Sequence, residues 1–418
     1  MESRFECIRE HQGSVQAFVD GTFDEARVRN AITEIQSDKA TETLLAGMLL
    51  GVKDVINVDG LPTCCGSAFP STVFEGREAS CVTRLRRAGA TVAGKTVTAE
   101  FAVSDPGPTR NPRNLAHTPG GSSSGSAAAV AAGFCQIAIG TQTSGSVIRP
   151  AGYCGVVGYK PSFGRIDTDG VFPFSRSMDH VGLFTPDLET LERILPILVN
   201  RWDPPLDAIE KSYCIGIPQG SYMDLATPII LASFSDAVEA LALASYPLKR
   251  QLLVDDIAVY NDAIDRVTYA ELYRVHAPWY DKYYDLYGSL MRDGLEQGEA
   301  ITSRELQRLL EHARHTQLWI SSLMRDHEID MWLAPVAPTA APRGLESTGD
   351  HRMNAIWSYT GLPVVTIPIA VDELNLPHGV QIVGRYGQDE RLLQAAFHIR
   401  DVIGVKSLQN QWELSQSL

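Results

Sequence analysis

Two serine-rich segments and one lysine have the residue types and spacing for nucleophilic chemistry. Residues 120–129, GGSSSGSAAA, and 140–151, GTQTSGSVIRPA, each carry serines in a run of small residues that leads into a helix-forming stretch. A hydroxyl nucleophile needs a base to take its proton and N–H donors for the oxyanion that its attack creates. Ser146 suits that role, because the short residues before it form a loop between a strand-like run and a short helix. The loop's backbone N–H groups can converge on one point. The segment is not a nucleophile elbow: G-x-S-x-G would require glycines at 144 and 148, where Ser144 and Ile148 stand. No histidine lies within either serine-rich segment, which turns attention to lysine. A buried lysine gives up its charge readily and can then accept a proton from a serine. Lys53, in GVKD at the end of an apolar run, is placed for burial.

GGSSSGSAAA admits three readings. A flexible spacer would sit among other polar, low-complexity residues, yet AAAVAAG follows at once and is a strong helix former. A phosphate cradle would use N–H groups at a helix start, but neither G-x-x-x-x-G-K-[ST] nor G-x-G-x-x-G is present. Part of a catalytic site is the third.

Taken together, GVKD, GGSSSG and GTQTSGSVIRPA resemble the amidase signature family, whose pattern is a G-x-K-D strand end, a G-G-S-S-[SG]-G segment and a segment opening G-T-[DQ]-x-[GA]-G-S. The similarity extends over residues 44–403, with a signature core at 46–182. It implies that Ser146 is the nucleophile, Lys53 a neutral base, and Ser122 a bridging hydroxyl that follows a cis peptide after Gly121. It further implies an oxyanion hole from the backbone N–H groups of Thr143, Ser144, Gly145 and Ser146, with no cofactor and no metal. Two departures stand out: Gln142 where many members have Asp, and Ser144 where Gly or Ala is usual. Ser144 bears on substrate choice. Arg149 either binds a substrate carboxylate or structures its loop. Ser123, Ser124 and Ser126 are expected as hydrogen-bonding supports.

The activity so implied is amide hydrolysis of a small molecule through an acyl-serine. The alternatives are the A subunit of a glutamine-dependent tRNA amidotransferase, which needs a partner, and a non-catalytic member kept for binding. All three residues of the proposed triad are present, against the last. A net charge of −14 over 418 residues argues against a nucleic-acid footprint. No run of 18 apolar residues points to a membrane, residues 1–13 mix charges without an apolar run, and a cytoplasmic enzyme is expected. A small-molecule partner is expected, and a homodimer is compatible. Seven cysteines without C-x-x-C spacing fit reduced thiols, with Cys64-Cys65 as small residues in a turn. Ten histidines show no H-x-x-x-H spacing, which leaves a metal site little support.

The elements that must position these residues alternate in kind. Residues 46–56 read as a buried strand ending near Lys53, 77–90 as a helix, 91–97 as a strand, 126–132 as a helix and 134–141 as a strand. A helix follows at 188–199, and residues 218–330 are mostly helical. There a tyrosine-dense stretch, 268–288, either packs the core or walls a pocket. Strands at 361–370 and 378–385 and a helix at 389–403 close the chain. The pattern predicts an α/β fold, one large domain over 1–418 with a central mixed sheet covered by helices on both faces.

Overall fold

In a computed structural model of the chain, apolar residues along the strands alternate between two separately packed interiors. Ile137 and Ile139 join one hydrophobic cluster while Ala138 joins another, and Met331 and Leu333 part in the same way from Trp332 and Ala334. Successive side chains of a strand point to opposite faces, so both faces of the sheet are buried. Helices Ser80–Arg87, Leu188–Leu198 and Asp389–Ile403 pack on one face. Helices Ser124–Ala131, Ile148–Cys154 and Arg352–Tyr359 pack on the other. The structure describes residues 1–37, 44–103, 105–203, 213–405 and 408. The remaining residues of the expected domain over 1–418 lie outside the described residues.

The strands are β1 (Leu49–Lys53), β2 (Thr91–Thr96), β3 (Ile137–Gln142), β4 (Val157–Lys160), β5 (His180–Thr185), β6 (Ile215–Gln219), β7 (Leu248–Leu252), β8 (Met331–Pro335), β9 (Val364–Val371) and β10 (Pro377–Val383). They form one sheet in the order β2-β1-β3-β5-β4-β9-β10-β8-β6-β7. The outer triplets β2-β1-β3 and β8-β6-β7 are parallel, and the strands from β3 across to β8 pair antiparallel. The fold is α/β with a mixed sheet between two helical layers.

Because β1 and β3 run parallel with Val52 opposite Ile139, their carboxyl ends lie side by side. That end of a parallel pair is where α/β sheets build their sites, and it brings Lys53 beside the loop after Gln142. The helix Ser124–Ala131 begins two residues ahead of the expected start and packs across β1, β2 and β3. It can do so because Gly125 has no side chain: a Cβ there would overlap the Ala17 carbonyl and the Val97 amide.

The mostly helical region contains one strand the sequence does not announce. β7 is the polar edge strand LKRQL, flanked by the helices Pro228–Leu243 and Ile257–His276. An edge strand is half solvated, and its residues lack the apolar run that marks a central strand. Among the described residues no helix is long and apolar enough to cross a membrane.

Candidate active site

Lys53 is fully buried at the end of β1, and its ammonium nitrogen has a specific set of partners. Nζ lies 2.8 Å from Ser122 Oγ, 2.8 Å from Thr141 Oγ1 and 3.4 Å from the Thr141 carbonyl. Burial pushes its pKa down to about 7, against the opposing influence of Asp179 and Cys65. A lysine in this state is neutral in a large fraction of molecules near neutral pH.

Ser122 is held at the start of the helix Ser124–Ala131 by its neighbours rather than by its own hydroxyl. The Gly121–Ser122 peptide is cis. The Ser122 carbonyl accepts from Ala99 N at 3.0 Å. Ser123 Oγ bonds to the Thr141 carbonyl, Ser124 Oγ to Val97 O, and Ser126 Oγ to Ile139 O and the Thr96 hydroxyl. These three serines tie the segment to β2 and β3, which leaves Ser122 Oγ to Lys53. Gly121 lies against Thr348, whose Cγ2 would be 2.6 Å from a Cβ at 121.

The loop Thr143–Ser146 leaves β3 and turns into the helix Ile148–Cys154. Gln142 shapes it: Oε1 accepts from Val147 N at 2.8 Å and Ile148 N at 2.9 Å, while Nε2 donates to Ser358 Oγ and the Ser144 carbonyl. The amide thus does what the more usual Asp cannot, accepting on one side and donating on the other. Among the described residues, the backbone N–H groups of Thr143, Ser144, Gly145 and Ser146 have no acceptor. Four consecutive unengaged donors are unusual, since enclosed N–H groups are nearly always paired. The Ser146 hydroxyl also makes no hydrogen bond among the described residues, and it opens onto a cavity of about 160 Å³. That cavity is further lined by Ser144, Gly145, Phe174, Asp265, Tyr269 and His351.

Arg149 is buried and lines this cavity. Nη2 donates to Gly121 O at 2.7 Å and to Thr348 Oγ1 at 3.1 Å, and among the described residues Nε and Nη1 have no acceptor. Its placement joins the two serine segments through the carbonyl that precedes Ser122. Of the tyrosine-dense stretch, Tyr269 lines the cavity, while Tyr283 and Tyr287 pack on Phe69.

Sequence reasoning did not single out three contributors. Thr141 shares Lys53 with Ser122, Thr348 closes over Gly121, and Asp179 accepts from the Thr143 hydroxyl at 2.6 Å. Asp179 sits in SRSMDHVG, and no local spacing ties it to residue 143. Enclosure pushes its carboxyl up to about 6, with nearby Glu271 adding to the effect and bonds from Thr143, Phe174 and Ser175 opposing it. All seven cysteines are free thiols, and Cys65 occupies a turn with φ +55°. Among the described residues no cluster of His, Cys, Asp and Glu could hold a metal ion.

A family model described as Amidase matches residues 2–393. The A subunit of the glutamyl-tRNA(Gln) amidotransferase of Synechococcus sp. strain RCC307 is 30% identical, over 97% of this chain and 93% of that protein. An amidase crystal structure aligns with a TM-score of 0.87 at 28% identity, covering 96% of this chain and 95% of that one. The corresponding A subunit of the Thermotoga maritima glutamyl-tRNA(Gln) amidotransferase shares the fold, with a TM-score of 0.78 at 24% identity over 97% of this chain and 94% of that one.

Proposed function

The chain belongs to the amidase family and is an amidase enzyme, and on that premise we propose that it acts as one domain that hydrolyses a linear amide of a small molecule through an acyl-serine on Ser146. The observation that carries this reading is the 2.8 Å bond between Ser122 Oγ and a fully buried Lys53. It lies beside a loop whose four N–H groups have no acceptor among the described residues.

In this reading Ser146 Oγ attacks the amide carbon. Its proton passes to Ser122, whose own proton passes to neutral Lys53 Nζ. The negative charge that develops on the carbonyl oxygen is met by the N–H groups of the loop from Thr143 to Ser146, each worth on the order of 3–4 kcal/mol of barrier. The C–N bond then breaks, and the leaving nitrogen takes the proton back along the same path. Water, deprotonated by the same relay, hydrolyses the ester to carboxylate and regenerates Ser146. Thr141 Oγ1 gives Lys53 a second polar partner throughout.

The cavity supports a small acyl group: about 160 Å³ is well below the roughly 300–1,000 Å³ of pockets for drug-sized ligands. Ser144 and Tyr269 on its wall bear on which amide fits. Arg149 anchors the Gly121 carbonyl, which supports its reading as a loop-holding residue over that of a carboxylate reader.

Ser146→Ala is expected to abolish both turnover of a small-amide panel and labelling by a fluorophosphonate. Undiminished turnover in that variant removes the assignment. Sequence identity to the amidotransferase protein favours a second reading, in which the chain serves a partner. Activity of the purified chain alone on simple amides selects the hydrolase, and strict dependence on a partner selects the amidotransferase component.

A further inference from the structure

A proton arriving on Lys53 makes a buried cation, and such a charge needs a compensating anion close by. The sequence neighbour Asp54 is already taken, because Lys95 Nζ holds its carboxylate at 2.9 Å. Cys65, the other group acting on Lys53, is a buried thiol whose ionisation burial strongly opposes. Asp179 directly precedes β5, whose His180 pairs with Gln142 at the end of β3, one residue beyond the Thr141 that holds Lys53 Nζ, and its charge opposes the effect of burial on Lys53.

Asp179 is also built into the loop that carries the unengaged N–H groups. Oδ1 accepts from the Thr143 hydroxyl at 2.6 Å, and Oδ2 accepts from Phe174 N at 2.8 Å and Ser175 N at 3.0 Å. Three neutral donors hold it, and it forms no ion pair among the described residues. Its carboxylate therefore keeps its net charge for the interior. Glu271, on the helix Ile257–His276, faces the same turn but is engaged by the Ser175 and Ser177 hydroxyls and Ser177 N. His180, the next residue in the chain, turns Nδ1 to the Met178 and Gln142 carbonyls and is kept neutral by burial.

We infer that Asp179 is a positioning residue of the reaction: it fixes Thr143, and with it the start of the N–H loop, and it is the counter-charge that allows Lys53 to carry the proton between attack and release of the amine. One carboxylate thus couples the base to the oxyanion donors, which are the two ends of the charge separation in the transition state. The inference rests on the reading of Lys53 as base and Ser146 as nucleophile, and its test is chosen to separate the two.

The test follows the rate of Ser146 labelling by a fluorophosphonate, and of turnover on simple amides, from pH 5 to 9 in wild type, Asp179→Asn and Thr143→Val. Removing the negative charge makes protonation of Lys53 harder. The acidic limb of Asp179→Asn is therefore expected to move to lower pH by about half a unit or more. Its kcat is expected to fall by about tenfold to a hundredfold with KM little changed, since transition-state stabilisation is what is lost. Thr143→Val keeps the charge and loses the tether, so its kcat falls while its acidic limb stays where wild type has it. Restoration of the limb in Asp179→Glu supports the charge role. An unmoved limb and near wild-type kcat in Asp179→Asn overturn the inference, as does a Thr143→Val enzyme of full activity should Asp179→Asn fail to fold. Labelling that persists in Ser146→Ala instead overturns the functional reading beneath it.

Discussion

In the proposed mechanism Lys53 is useful only while uncharged, and the enclosure that lowers its pKa would then also set the pH at which the enzyme works. With its pKa held near 7, the neutral fraction rises through that value. Activity limited by the base is therefore expected to increase with pH through about 7 and then level off, because the basic form is the reactive one. Lys53→Arg preserves charge and length but cannot deprotonate, so it should be inactive across the whole range. A pH–rate profile of kcat/KM on any accepted amide checks both, and a limb near pH 5 or an active arginine variant would contradict the role. Lys53, Ser122 and Ser146 could be named as candidates from three short motifs, because nucleophilic chemistry prescribes residue types within each. Thr141 and Asp179 could not. Thr141 reaches Lys53 because β1 and β3 are adjacent, and Asp179 reaches Thr143 because β5 lies against β3. Contacts across strands leave no local spacing to read.

At the scale of elements, the helix Ser124–Ala131 must approach β2 closely enough for Gly125 N to reach Val97 O at 2.9 Å. Alanine is the better helix former by about 1 kcal/mol, so helix propensity alone predicts that Gly125→Ala stabilises the protein. Close packing predicts the opposite, because the added Cβ would overlap the backbone of Ala17 and Val97, neither of which is a flexible side-chain end. Overpacking of this kind costs on the order of 1–3 kcal/mol and should shift Ser122 with the helix. Gly125→Ala is thus expected to lower Tm and turnover together, and a raised Tm with full activity would show that the approach is looser than described. That the serine segment opens a helix was legible in its sequence, because small residues run straight into alanines. Strand ends were legible to within a few residues where the flanks were apolar, as at β1 and β3. β7 was not, because an edge strand reading LKRQL lacks the apolar alternation that betrays a core strand.

For the molecule as a whole, the site is a cost that the rest of the fold carries. A lysine with a folded-state pKa near 7 and an unfolded value of about 10.4 binds fewer protons when folded throughout that interval. Stability from this group is therefore fully present above the unfolded value, and it is lost as pH falls toward 7, below which the full penalty of the buried charge applies. Lys53→Met removes this titration and keeps most of the buried volume; Lys160, lowered to about 7 by burial, and Glu100, raised to about 7 by burial, are present in both proteins and cancel in the comparison, while Asp179, raised to about 6, titrates below the interval from 7 to 10. Relative to wild type, the variant should gain stability as pH falls from about 10 to about 7, by a few kcal/mol over the interval. The sign of the offset at any one pH also contains the hydroxyls of Ser122 and Thr141 left without Nζ, so the informative quantity is its change with pH. Thermal unfolding of both proteins at pH 7, 8.5 and 10 measures it. A Tm difference that grows toward low pH, in a variant without turnover, identifies Lys53 as a residue kept for chemistry against stability. A difference independent of pH would mean that Lys53 keeps its charge when folded, and the proton relay through Ser122 would then have no base.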